Sequence, residues 1–284
     1  MPHPTATLTV SCRDQKGLVA ALAQFLYRHG ANILQAQQHT EPSTHTFCQR
    51  IRFETDDLDV PLEKLEVLLS AECARHQMEW KLSYSNRCKR VAIFVSKFEH
   101  CLGDLLLRHR LGELACEIPI VVSNHSELAG TAAQFGLPFR IYPITAESKH
   151  EQELRQLELL EQLEIDLIVL ARYMQVLSAD FIARYPQRII NIHHSFLPAF
   201  MGARPYHQAY DRGVKLIGAT AHYATSDLDE GPIIAQHVVE CSHRDDVKDL
   251  VRKGRDVERI ALASAVRAHL EDRIVVAGHR TVVF

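Results

Sequence analysis

Asn191, His193 and Asp229 are the side-chain types that acyl transfer needs. An imidazole takes or gives a proton near neutral pH. A carboxamide N–H donates to an oxyanion developing on a carbonyl. A carboxylate orients an imidazole or a water and favours the imidazolium form. Asn191 and His193 lie in Arg188-Ile-Ile-Asn-Ile-His193, which reads as the end of a buried strand. Alternate residues of a strand share a face, so both project together from its last residues, where open α/β sheets place their ligands. Asp229 follows a second strand, 217–223, in a turn that also carries Asp227. Local sequence alone makes a turn residue of either aspartate.

Other reactive groups carry competing readings. Ser195 is a conceivable nucleophile, but it lacks the G-x-S-x-G elbow and sits in a turn just past His193. Cys101 opens a predicted helix, where thiol pKa values fall. The plainer reading of a semi-buried thiol carries more weight. The doublet His193-His194 invites a metal, yet adjacent strand residues diverge and no H-E-x-x-H set accompanies them, so none is expected. The chain has 17 histidines, and most must be structural. His222, on the neighbouring strand, either lines the same pocket or is a hydrogen-bonded core residue.

The elements that must position these groups form an α/β chain of two parts. Residues 5–13 alternate as a half-buried strand, and Leu18, Leu22, Phe25 and Leu26 recur at helical spacing. Strands follow near 32–39 and 46–54, then a helix opened by Pro61, then a strand at 77–84. The order βαββαβ predicts an N-terminal ferredoxin-like domain over 1–84, with two helices on one side of one sheet. A polar linker spans 85–90. From 91 to 284 buried apolar strands alternate with helices (91–95, 118–122, 138–141, 166–170, 189–192), which predicts a doubly wound, mostly parallel, Rossmann-like sheet. Consecutive strands near 215–223 and 232–240, a helix over 246–270 and a short last strand complete this second domain.

Composition narrows the function classes. A hydrophobic fraction of 46%, a charged fraction of 24% and a net charge of −3 describe a globular protein without a nucleic-acid-binding face. Seven scattered cysteines with no C-x-x-C pair argue against a disulfide framework and for a reducing, cytoplasmic setting. No signal peptide and no membrane-spanning run is expected.

The run Asn191-Ile-His193-x-Ser195-x-Leu197-Pro198, then Gly218-x-Thr220-x-His222, then Asp229-x-Gly231-Pro232-Ile233-Ile234 resembles the folate-dependent formyltransferases. The resemblance implies that Asn191, His193 and Asp229 are the catalytic trio, with His194 and His222 supporting. Leu170-Ala-Arg172-Tyr173-Met174-Gln175-Val176-Leu177 resembles that family's folate-binding loop, which implies backbone hydrogen bonds to a pterin enclosed by apolar side chains. One departure is informative. In the family's glycinamide ribonucleotide enzymes, a glycine-rich loop after the first strand holds a phosphorylated acceptor. Here that position reads Ser96-Lys-Phe-Glu-His100-Cys-Leu-Gly103-Asp104, with two carboxylates and no glycine-rich approach. Water is the simplest remaining acceptor. The family's proline after the histidine is replaced by His194, which either helps to hold that water or lies half-exposed at a turn.

Asp14-Gln-Lys16-Gly17-Leu18-Val19 and Asn32-Ile33 in the N-terminal domain resemble an ACT module, which binds amino-acid effectors. Asp14, Lys16, Gly17, Leu18 and Asn32 are its candidate effector or interface residues. The two modules together, including His193-His194-Ser-Phe-Leu-Pro-Ala-Phe-x-Gly-Ala-Arg-Pro-Tyr-His207, resemble the formyltetrahydrofolate deformylase family over essentially the whole chain. That implies hydrolysis of 10-formyltetrahydrofolate to tetrahydrofolate and formate, balancing one-carbon pools and supplying formate for purine synthesis. The folate is then the substrate, and no cofactor is needed. The resemblance also implies a homo-oligomer, dimer or tetramer, and glycine or methionine as effectors. The alternatives are formyl transfer to an amine acceptor and an amino-acid-sensing protein without turnover.

Overall fold

The computed structural model describes residues 3–199 and 205–284. The segment 200–204, part of the run quoted above, lies outside the described residues. The chain divides into two compact units, 1–88 with 271–284, and 89–270.

In the first unit β1 (Thr5–Arg13) turns Ala6, Leu8, Val10 and Cys12 inward, as its alternation requires. Helix α1 (Leu18–Arg28) begins after Gly17, whose φ of 94° places it in the left-handed region, and packs Leu18, Leu22, Phe25 and Leu26 on the sheet. Strands β2 (Ile33–Glu41) and β3 (Thr46–Glu54), helix α2 (Leu62–Arg75) and β4 (Glu79–Tyr84) follow. The strands form one antiparallel sheet of order β2-β3-β1-β4. Leu65, Leu69 and Cys73 of α2 join Phe47, Ile51 and Phe53 of β3 in its core.

The second unit runs β5 (Lys89–Val95), α3 (His100–Arg110), β6 (Cys116–Ser123), α4 (Ala129–Gln134), β7 (Phe139–Ile141), α5 (Lys149–Gln162) and β8 (Leu167–Leu170). It continues with α6 (Ala179–Arg184), β9 (Ile189–His193), α7 (Pro205–Asp211), β10 (Leu216–Tyr223), β11 (Ile233–Glu240) and α8 (Val247–Leu270). The seven-stranded sheet has the order β11-β10-β9-β8-β5-β6-β7. Strands β5 to β9 are parallel, and β10 is antiparallel to both of its neighbours. Residues Val91–Val95 are fully buried, as a central strand covered on both faces must be. The order reverses between β5 and β8, so a crevice opens beyond their carboxyl ends. The short helices α6 and α7 are absent from the sequence reading, because six or seven residues show no sustained period. Ser178 caps α6 by accepting the Phe181 N–H.

The expected domain boundaries need two corrections. Residues 271–284 belong to the first unit, not to the second. The chain ends in a hairpin of β12 (Ile274–Ala277) and β13 (Arg280–Val283). Val275 and Ala277, with Val282 and Phe284, pack on Cys48 of β3. The reason is physical: an isolated two-stranded hairpin is marginal in water and needs an apolar surface to cover. Arg50 of β3 secures it, donating to the carbonyls of Asp272 at 2.9 Å and Glu271 at 3.1 Å. The first unit also ends later than expected, because β5 begins at Lys89, inside the proposed linker.

Candidate active site

The register of β9 against β10 pairs Asn191 with His222 and His193 with Thr220. All four therefore share one face at the carboxyl end of β9. Asn191 Nδ2 donates to His222 Nε2 at 3.2 Å. His222 is 2% exposed, and its Nδ1 carries the proton, since that atom donates to the Tyr223 carbonyl at 2.9 Å. The pocket and core readings of His222 therefore both hold.

Asp229 arrives from the loop after β10. His193 Nδ1 lies 3.1 Å from Asp229 Oδ2, and His222 Nε2 lies 3.5 Å from Oδ1. Asn191 Nδ2 approaches the same Oδ1 at 3.5 Å. The Asp229 backbone is left-handed, with φ 58°. The loop closes behind it through Gly231, where a Cβ would stand 1.7 Å from the Tyr223 carbonyl oxygen. Only glycine permits that approach. Asp227 supplies a carbonyl to Thr225 Oγ1 at 3.0 Å and is a turn residue. Tertiary placement thus separates the two aspartates.

Burial works to raise the Asp229 carboxyl. The hydrogen bond from His193 and the close approach of His222 outweigh it and hold the group well below the usual carboxylate range. His193 Nδ1–H then donates to Asp229. Its Nε2 is buried and without a hydrogen-bond partner among the described residues. His194 follows, its ring centroid 5.0 Å from that of His193. Burial first, then the charges of Arg172 and His193, lower its imidazole to about 4, so it is neutral at physiological pH.

These groups line a cavity of about 460 Å³, together with Arg172, Tyr173, Met174, Gln175, Val176 and Leu177. Every residue of the predicted folate loop but the fully buried Ala171 reaches it. Arg172 is left-handed at φ 63°. The Met174 N–H donates to Ser96 Oγ at 2.9 Å, and Ser96 Oγ donates to Asn124 Oδ1 at 2.6 Å. At the far end the Ser178 N–H donates to Glu153 Oε1 at 3.1 Å. The loop is pinned at both ends, while Met174 and Val176 stay 54% exposed. The sequence reading missed Ser96 and Glu153 as anchors. The signal was faint: a serine after a strand and a glutamate on a leucine-striped helix.

Two alternatives for reactive groups close. Ser195 Oγ donates to the Ala199 carbonyl at 2.8 Å, which binds it into the turn. Cys101 is fully buried, and burial pushes its thiol well above the ordinary value, the reverse of a helix-start thiolate. Thr220 Oγ1 ties the same turn to β10 through the Ser195 carbonyl at 2.9 Å and the Leu197 N–H at 3.0 Å.

A second polar cluster, also missed in sequence, lies among α3, α7 and α8. Glu258 is 1% exposed and takes His100 Nε2 at 2.7 Å and the Tyr206 hydroxyl at 2.7 Å. Arg172 Nε lies 3.5 Å from it. Burial opposes its ionisation, but His100 and Arg172 prevail and lower the carboxyl. A Cβ at Gly254 would stand 2.0 Å from the Tyr206 hydroxyl, so glycine makes the room. The donor atoms of His100, Cys101 and Glu258 lie within 4.8 Å of one another, as metal ligands can. The adjacent guanidinium and the protonated thiol oppose a cation there. After β5, Asp104 is paired with Arg108 at 2.7 Å, and Glu99 accepts from Thr131 at 2.7 Å.

In the first unit, Leu18 is core and Asn32 Nδ2 donates to Glu54 Oε2 at 2.8 Å, while Asp14, Lys16 and Gly17 are exposed. No helix among the described residues is long and apolar enough to cross a membrane.

Residues 89–266 match the formyl transferase family model, and residues 6–70 match the ACT domain model. A formyltetrahydrofolate deformylase from a Synechocystis species is 54% identical over 100% of both chains. One from Bacillus subtilis is 48% identical, covering 98% of this chain and 93% of its own. The crystal structure of a formyltetrahydrofolate deformylase from Pseudomonas syringae pv. tomato superposes with a TM-score of 0.96 at 42% identity, covering 100% of this chain and 95% of that one.

Proposed function

This chain belongs to the formyltetrahydrofolate deformylases of the formyl transferase family, and from that premise we propose that it hydrolyses 10-formyltetrahydrofolate to tetrahydrofolate and formate. The observation that carries the chemistry is the buried, unpartnered Nε2 of His193, whose other nitrogen is held by an ionised Asp229. Such an imidazole takes a proton from water as the water oxygen adds to the formyl carbon. Asp229 fixes the tautomer and stabilises the imidazolium. The Asn191 carboxamide nitrogen carries two N–H groups. One donates to His222, and the other, held only by the long 3.5 Å contact to Asp229 Oδ1, turns to the developing oxyanion. The imidazolium returns its proton to N10 as the C–N10 bond breaks, and the formic acid formed ionises. Neutral His194 serves as a further hydrogen-bonding partner for the water.

The loop 172–177 offers backbone groups between apolar side chains, the surface that a planar pterin needs. No cofactor enters, because the folate is the substrate. The ACT domain takes an amino-acid effector, glycine or methionine, at its Gly17 end. The protein acts in the cytoplasm as a homo-oligomer, dimer or tetramer. Incubation with 10-formyltetrahydrofolate alone should release formate and tetrahydrofolate in equal amounts. Consumption that begins only when an amine acceptor is added would assign a transferase instead. Adding glycine or methionine to the same assay tests regulation.

A further inference from the structure

Arg172 is the most exceptional charged residue in the cavity. Its side chain is 10% exposed, and Nε and Nη1 are buried without a hydrogen bond. A guanidinium cannot shed its charge, so idle buried donors are costly unless something accepts from them. Glu258 balances the charge from 3.5 Å, but its oxygens already accept from His100 and Tyr206. Phe98, 5.2 Å below the guanidinium, offers a ring face and no acceptor in the plane. The backbone of Arg172 is itself left-handed, a conformation that persists where surrounding structure enforces it, often at ligand sites. Arg172 lines the same cavity as His193 and His194, and its charge is felt at His194.

We infer that Arg172 is the anion-holding side of a product subsite beside His193, built for a small planar monocarboxylate, the formate released from the substrate. The inference rests on the hydrolysis proposed above. A carboxylate presents two oxygens in one plane, the counterpart of the guanidinium fork. As the C–N10 bond breaks the imidazolium gives its proton to N10, and the formic acid formed beside the now neutral His193 loses its own proton to become formate. The Arg172 donors then take its charge while the tetrahydrofolate amine is protonated, which opposes recapture of the formyl group. Glu258 sets the strength of the site by competing for the same guanidinium.

The test needs no folate. Isotope-labelled formate is titrated into the full-length protein and followed by NMR line broadening. Wild type should show saturable binding, with acetate weaker because of its methyl group. Arg172→Gln should bind formate roughly tenfold or more weakly, the loss expected for a charge-assisted pair, and Arg172→Lys should fall between. If Arg172→Gln fails to fold, Arg172→Lys and the formate-over-acetate preference of wild type decide. Absent saturable binding in wild type, or equal binding in a folded Arg172→Gln, overturns the subsite. Turnover with either of those results removes this inference and leaves hydrolysis standing. Arg172-dependent formate binding in a protein without turnover supports the anion site and removes the hydrolase reading.

Discussion

Among the described residues of the second unit, two carboxylates are held by largely buried imidazoles, Asp229 by His193 with His222 beside it and Glu258 by His100, built from the same chemistry for different ends. Their distances are similar, 3.1 Å and 2.7 Å. Both carboxyls are held below their ordinary values against burial by the partners around them. What differs is what remains unspent. Glu258 is 1% exposed and engaged by His100, Tyr206 and Arg172. His193 presents an unpartnered Nε2, and Asp229 lies at the cavity wall. A saturated pair organises the fold, and a pair with one idle atom beside a cavity can act on a substrate.

Substitutions at the two pairs should therefore fail in different assays. Asp229→Asn should lower kcat by roughly 100- to 10,000-fold, the range for losing acid–base function, and Asn191→Ala by about 100- to 1000-fold. Folate binding followed by fluorescence should persist in both. Wild-type turnover in either variant would remove the catalytic assignment. Glu258→Gln leaves Arg172 without its counter-charge. It should cost about 3–5 kcal/mol of stability, read from urea unfolding, because breaking one side of a buried ion pair strands the other. A stability unchanged from wild type would show that the second pair is no structural element.

The two groups respond to pH with the same sign but in different windows. The folded-state value of Asp229 is depressed, so its contribution to stability is present above the ordinary carboxylate range and lost as pH falls through the lower folded value. His194 also titrates low when folded, at about 4 against 6.5 unfolded. The unfolded chain therefore binds the extra proton between those values, and stability falls as pH drops from about 6.5 to about 4. His194→Gln should flatten that slope in thermal melts across the window. An unchanged slope would show that His194 is not held neutral.

The smallest effect concerns the loop that shares the cavity with His193 and Asp229. Ser96→Ala removes the acceptor of the Met174 N–H, a bond of about 0.5–1.5 kcal/mol. KM for the folate should rise by a few-fold to about tenfold with kcat spared, and Ser96→Thr should restore it. A fall in kcat at unchanged KM would place Ser96 in the chemistry instead.

Much of this was legible from local pattern. Period-2 and period-3.6 spacing determined the βαββαβ order of the first unit and the alternating strands of the second. Strand alternation placed Asn191 and His193 on one face, because that geometry is local. The motif run assigned the family and ranked Asp229 above Asp227. Tertiary structure alone decided what depends on residues distant in sequence. Asp229 meets His193 because Gly231 lets its loop close against Tyr223. The hairpin 274–283 joins the first unit because its apolar strands need the far face of β3. Glu258 looks like one more charge on a long helix until His100, Tyr206 and Arg172 converge on it. Spacing reports which way a side chain faces, whereas its partners are set by packing between elements, and packing left His193 Nε2 and Arg172 Nε and Nη1 buried without a hydrogen-bond partner.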